Sequence, residues 1–383
     1  MKNWMKVRAY DFIEFNPRLS LKKGTTVTKV AMDKLQPFTK KIPSAEQAVF
    51  TGGSKFCNGD TIMARITPCL ENGKTAFVDI LDDGEIAFGS TEFIVMRARS
   101  NISDPQYIYY LATSPSFRNV AIKSMVGSSG RQRVQQGVLD DLELTVPPLD
   151  EQRRIGGFLS VLDQKIALNN EINDNLAEML QSIYQQRFNS FDSDEKHGVL
   201  ADICVYSKDR ISVSSLSVSN YYSTENMLPR KAGAVDASSL PTITQTTKCK
   251  AGDVLISNIR PYFRKIVYCQ TDCGCSTDVL CFSPQTPALS AYLFSTLYAN
   301  KFFNFMVAGS KGTKMPRGDK QQIMTYPVYI PSDAELEEFN GLAKPLLDRI
   351  ESNRIENISL SALRDELLPK LMSGEIDVFD ISI

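Results

Sequence analysis

Histidine is almost missing from this chain: among 383 residues there is one, His197. A single imidazole without a local partner excludes a histidine-based triad and any multi-histidine metal cage. No run approaches eighteen consecutive apolar residues, and the start, MKNWMKVRAYDFIEF, lacks the apolar stretch of a secretory leader. These absences predict a cytoplasmic protein with no membrane span. The eight cysteines are scattered and accompanied by no export signal, so free thiols are expected rather than a disulfide framework. Their densest group, Cys269, Cys273, Cys275 and Cys281, lacks the paired CxxC spacing of tetrahedral zinc sites and reads as small buried thiols with no metal.

Catalytic patterns are missing too. Gly73, Lys74 and Thr75 look like the end of a phosphate-binding P-loop, but the loop's first glycine would fall on Pro68. No GxGxxG follows a strand, and Pro147 and Pro148 precede Leu149 rather than the aromatic residue of an amino-methyltransferase tetrapeptide. Neither a nucleophile elbow nor a zinc-deaminase set is found. Without groups placed to move protons or stabilise charge, the chain reads as a binding protein rather than an enzyme.

What is present is an internal repeat. GDTIMARITP (59–68) is answered 193 positions later by GDVLISNIRP (252–261). AFGSTEF (87–93) is answered by GCSTDVL (274–280), VGSSGR (126–131) by AGSKGT (308–313), and LELTVPP (142–148) by MTYPVYIP (324–331). Such self-similarity divides the chain into two halves of one design, within a length that accommodates two or three domains.

Each half closes on a long polar stretch with apolar residues at helical spacing. In the first, Ile155, Leu162, Asn169, Leu176 and Ile183 recur every seven residues, with Leu159, Ile166, Asn173 and Leu180 as a second row. A shift of 184 gives Phe339, Leu346, Asn353, Leu360 and Leu367, then Ala343, Ile350, Asn357 and, imperfectly, Arg364. A stripe of this kind serves either a core-packing helix or a coiled-coil seam. A length of about 37 residues, roughly 55 Å at 1.5 Å per residue, and the central asparagines favour the seam. Packed antiparallel, the two helices would bring Asn169, Asn173, Asn353 and Asn357 together around a pseudo-twofold axis. The fold class expected is α+β: two mixed α/β lobes (1–149 and 191–332) separated by long helices (150–190 and 333–383) paired as an antiparallel coiled coil.

The net charge of -1 hides a division. Residues 1–149 hold 19 Lys and Arg against 15 Asp and Glu, and residues 198–332 hold 14 against 8. Residues 150–197 hold 5 against 9, and residues 333–383 hold 5 against 12. Basic lobes suit phosphate, whereas acidic helices suit protein partners; ordinary solvated faces would give similar imbalances.

ARITPCLENGKTAFV (64–78), the junction VPPLDEQRRI (146–155), the long Asn-bearing helices and the ending LLPKLMSGEIDV (367–378) together resemble the DNA-specificity subunit of type I restriction-modification systems. The second junction departs from the family's form, reading YIPSDAELEEF. The resemblance implies two target-recognition domains, each reading half of a gapped site in double-stranded DNA, with the helices as a fixed-length spacer. It also implies two adenine-methyltransferase (modification) subunits docked on the helical region and two ATP-dependent restriction subunits. S-adenosylmethionine, ATP and Mg would belong to those partners, leaving no cofactor in this chain.

By position in the repeat, the DNA-contacting candidates are Arg65, Lys74, Arg131, Gln132 and Arg133 in the first lobe. Asn258, Arg260, Arg264, Lys311, Lys314 and Arg317 are their analogues in the second. Lys and Arg suit phosphates, while Arg, Asn and Gln suit base edges. GSSGRQR and GSKGTK read equally as plain turns ending a helix, and GDTIMARI and GDVLISNI as turns into core strands. Two other functions fit the composition: a free-standing sequence-specific DNA-binding regulator, and a protein-interaction scaffold that binds no DNA.

Overall fold

In the computed structural model, which describes residues 3–128, 130–188 and 197–381, each repeated Gly-Asp pair turns the chain into a core strand. Gly59 and Gly252 have φ of 88° and 91°, a conformation that side-chain-bearing residues rarely adopt. The following aspartate closes the turn, with Asp60 accepting from the Cys57 amide and Asp253 from the Lys250 amide, both at 2.8 Å. The strands Thr61–Ala64 and Val254–Ser257 then run through the core with every residue buried. For these segments the turn-and-strand reading is what the structure adopts.

The chain divides into two compact units: the described residues up to Leu168 with those from Ser359 onward, and Asn169–Ile358. In the first unit, one four-stranded sheet has the order Ile13–Phe15, Phe93–Ala98, Thr61–Ala64, Thr75–Phe77, all antiparallel. The second unit repeats that order with Cys204–Tyr206, Val279–Pro284, Val254–Ser257 and Ile266–Tyr268. Each unit also has a small antiparallel ribbon, Met5–Arg8 on Glu143–Val146 and His197–Val199 on Pro327–Tyr329.

The remaining sheets differ. Around Ala87–Gly89 in the first unit, the edge strand Glu46–Val49 extends from the parallel neighbour Thr26–Val30, with Lys55–Phe56 on the other side. Around Cys273–Cys275 in the second, the edge strand Arg210–Ser212 extends from the antiparallel neighbour Gln245–Cys249, with Tyr221–Tyr222 on the parallel side. The strand pairings also align the thiols with hydrocarbons of the first unit. Cys249 faces Cys273 where Phe56 faces Ala87, and Cys281 faces Leu255 where Val95 faces Ile62. All eight cysteines are free. Among the described residues no group of three or more His, Cys, Asp or Glu side chains is arranged to hold a metal ion.

The long helices are Leu149–Phe188 and Asp333–Ser373. Both unit boundaries fall inside them, at Leu168 and Ile358, whereas the sequence placed the boundaries at the helix starts; the expected boundary between 190 and 191 lies outside the described residues. The PPLDEQ junction is tied to its lobe by Gln152, 2% exposed, which accepts from the Asp104 amide at 3.0 Å and donates to the Pro147 carbonyl at 2.9 Å. The divergent second junction starts its helix differently. Ser332 and Glu335 form a capping pair: the Ser332 amide donates to the carboxylate at 2.8 Å, and the Glu335 amide reaches the Ser332 hydroxyl at 3.5 Å. The second helix stops at Gly374, whose φ of 70° suits a left-handed C-terminal position.

The apolar stripe serves both of the roles its spacing allowed. Ile155, Leu159, Leu368 and Leu371 pack into the core of the first unit, and Leu180, Phe188, Leu336 and Phe339 into that of the second. Within each unit the two helix segments pair antiparallel. In the second unit the amides of Asn169 and Asn353 donate to Asn357 and Asn173, each at 2.8 Å, while Arg187 pairs with Glu338 at 2.7 Å. In the first unit Arg364, the imperfect seam position, is answered by Asp163 at 2.6 Å. No helix among the described residues is long and apolar enough to cross a membrane.

Candidate nucleic-acid interface

The segments leaving the central strands, Arg65–Pro68 and Asn258–Pro261, are caught by the same contacts in each unit. The Arg65 amide donates to the Glu92 carbonyl at 2.9 Å, as the Asn258 amide does to the Asp278 carbonyl at 2.8 Å. Two residues on, the Thr67 amide donates to the Gln132 carbonyl at 3.0 Å, and the Arg260 amide to the Pro316 carbonyl at 2.8 Å. The loop that supplies these acceptors is closed by a two-way bridge, Val126 with Arg133 in one unit and Lys311 with Arg317 in the other. The repeated loops therefore belong to a frame built twice, beyond a simple helix end.

Each frame carries an arginine–carboxylate pair. Arg133 donates its Nη2 and Nε to Glu92 at 2.7 and 3.0 Å. Arg317 Nη2 lies 3.1 Å from Asp278 Oδ1. The Arg133 hydrogen bonds hold the Glu92 carboxyl below its ordinary range. Both arginines remain about half exposed, at 43% and 54%, so each guanidinium is oriented by its carboxylate while keeping N–H groups toward solvent. A planar donor fork held in one orientation suits hydrogen bonding to a base edge better than a mobile lysine does.

The other candidates divide. Arg131 and Lys314 are exposed and form no ion pair among the described residues. Lys311 is exposed but paired with Asp319, whose carboxyl it pulls below the usual range. Gln132 lends its backbone carbonyl to the frame. Arg65 Nε, Asn258 Oδ1 and Arg260 Nε are buried without a hydrogen-bond partner among the described residues, so these side chains retain polar capacity that the fold does not use. Arg264 donates Nη1 to Asn300 at 3.1 Å. Lys74 turns back into its lobe, where Nζ donates to the Met32 carbonyl at 2.9 Å, and Lys265 does the same to Thr224 in the second unit. That repetition makes this lysine an internal brace.

Sequence reasoning missed Glu92 and Asp278, although both lie in the repeated STE and STD triplets. It also missed Arg230 and Lys231, whose loop answers the one at Phe38 in the first unit, where the Phe38 amide donates to the Gly73 carbonyl at 3.0 Å. The Arg230 and Lys231 amides donate to the carbonyls of Phe263 and Arg264 at 2.8 and 2.9 Å, which sets four basic residues, Arg230, Lys231, Arg260 and Arg264, around one turn. All four have left-handed backbone, with φ between 50° and 64°. Each such residue costs about 1–2 kcal/mol, a local strain that accumulates at binding sites more than in plain turns.

Residues 1–178 match the family described as the type I restriction modification DNA specificity domain. That stretch is similar to a type I restriction-modification DNA specificity domain. The chain is similar to the EcoAI specificity subunit of Escherichia coli, 39% identical over 104 residues, which are 27% of this chain and 18% of that protein. The EcoEI specificity subunit of Escherichia coli is 36% identical over 111 residues, 29% of this chain and 18% of that one. The matched stretches thus span less than a fifth of these relatives. The crystal structure of a type I restriction-modification S subunit from M. genitalium shares the fold, with a TM-score of 0.55 and 15% identity over 96% of each chain. The specificity domain matched by the family contains the first frame, from Arg65 to Arg133; the second unit builds its counterpart outside the matched residues.

Proposed function

We propose that this chain is the non-catalytic recognition subunit of a type I restriction-modification assembly and acts in the cytoplasm. Each unit reads one half of a bipartite site in double-stranded DNA, and the long helices, which pass from one unit into the other, set the gap between the halves. Two adenine-methyltransferase subunits dock on the acidic helical region and two restriction subunits complete the enzyme. These partners hold S-adenosylmethionine, ATP and Mg. The observation that carries the reading is the duplicated frame: an arginine held by a carboxylate, Arg133 with Glu92 and Arg317 with Asp278, at matching places in a specificity domain and in its internal repeat. Two like readers on one scaffold fit a split target, with half-site spacing following from scaffold geometry.

The test is a genome-wide map of methylated adenines in cells expressing the chain with its neighbouring methyltransferase, compared with cells lacking only this chain. A split motif with a fixed gap, present only with the chain, is expected. Identical maps, with both proteins folded and associated, would overturn the reading and favour the free-standing regulator or the scaffold.

A further inference from the structure

In the second unit the 3-10 turn Pro261–Phe263 is flanked by Arg260 and Arg264, both left-handed. Four of the eight non-glycine residues with positive φ among the described residues belong to this one patch, so backbone strain is concentrated here. At its tip Tyr262 and Phe263 are 50% and 40% exposed, their ring centroids 4.8 Å apart. The turn has a stiff base. Lys231 Nζ lies 4.3 Å from the Tyr298 ring centroid, and it shares the Asn300 side chain with Arg264 at 2.9 and 3.1 Å.

The fold does not require aromatic rings at this place. In the first unit the matching segment, located by the equivalent bonds of Thr67 and Arg260, carries Cys69 and Leu70, and Leu70 is fully buried. Two adjacent exposed rings call for an apolar partner, whereas four surrounding cations reject most apolar protein surfaces. Asp278 and Asp319 are occupied by Arg317 and Lys311, and none of the four cations forms an ion pair among the described residues. A nucleic-acid duplex offers both complements, phosphates for the cations and base faces for the rings.

We propose that Tyr262 and Phe263 form an aromatic wedge that enters the duplex at the half-site read by the second unit and unstacks one base step, with the flanking cations on neighbouring phosphates. This rests on the reading that the unit binds DNA. The two halves of the target are then read differently: the first by side chains on an intact duplex, the second with an added dependence on how easily one step opens, which pyrimidine–purine steps do most readily.

The experiment uses the assembled complex of the full chain with its methyltransferase partner and duplexes bearing the split motif from the methylation map, with 2-aminopurine placed in turn at each position of both halves other than the adenines that the methyltransferase flips out of the stack. Wild-type complex is expected to raise the fluorescence several-fold at one step of one half. The variant Y262A/F263A loses that rise and binds roughly 10- to 100-fold more weakly, as loss of one or two base contacts predicts. Its salt dependence stays unchanged because no charge is removed. The exchange Y262F/F263Y keeps both signals, and the melting curves of all variants match because the rings are exposed. No fluorescence rise at any position, or a rise that persists in the alanine variant, overturns the wedge while salt-dependent binding leaves the DNA reading standing. Absence of salt-dependent binding by the wild-type complex removes both.

Discussion

Replacing Arg364 with Met should separate a structural charge from the DNA-binding ones. Its guanidinium is 15% exposed and lies 2.6 Å from Oδ1 of Asp163, itself 9% exposed. The other carboxylate oxygen accepts from the Tyr110 hydroxyl at 2.5 Å, and that hydroxyl in turn accepts from Lys40 Nζ at 3.2 Å. Removing one partner of a buried pair costs about 3–5 kcal/mol, because the remaining charge stays desolvated. The Tyr110 bond and the nearby ammonium moderate this, so a loss of about 3 kcal/mol is expected, a large share of a domain's ordinary stability of roughly 5–15 kcal/mol. The double variant D163L/R364M places apolar side chains in the seam and should be more stable than either single variant, short of wild type by about 1–3 kcal/mol because the Tyr110 hydroxyl loses its acceptor. Urea denaturation of the full chain gives the cycle, and hydrogen exchange within 149–168 and 359–373 locates the effect in the first unit. The reasoning is refuted if R364M costs less than about 1 kcal/mol, or if the two single losses simply add in the double variant.

Further outcomes follow from neighbouring features. N353L removes the donor to Asn173 and should lower stability by about 1–3 kcal/mol, whereas N173L/N353L should not add to that loss; thermal melts decide. E92Q and D278N release Arg133 and Arg317 from their carboxylates, so affinity for random DNA should hold or rise while preference for the target falls, measured by competition at fixed salt. Burial among Phe77, Tyr109 and Tyr110 pushes Lys40 down to about 8, so below that pH it is charged in both the folded and unfolded chain and its desolvation opposes folding. Between about 8 and its ordinary value of 10.5 only the unfolded chain keeps the proton, and stability from this group rises with pH; in K40M the rise in denaturation curves compared at two pH values in this window should shrink, Lys231, likewise pushed down to about 8 by burial, supplying a remainder. C281V places the valine of the first unit's position 95 in the second, and a loss above about 1.5 kcal/mol in urea would show that the thiol core is more than hydrocarbon packing.

The sequence alone determined the plan of this protein: two halves of one design, each closed by a long helix, with asparagines at the middle of the seam. These features are legible because they rest on periodicity and on local chemistry, such as glycine at positive φ before an aspartate-closed turn, that each repeat carries in its own residues. Tertiary structure decided how charges are used. Lys74 and Arg131 are both basic residues at repeated positions, yet one braces Met32 and the other stands in solvent, because only the fold determines whether a carbonyl lies within a lysine's reach. Likewise, the carboxylate that holds Arg133 is 41 residues away in sequence, and the amides that strap Arg230 and Lys231 to the 260–264 turn come from a loop 33 residues before their acceptors. Pairings across such separations depend on strand order and loop path, and composition and spacing carry no record of either.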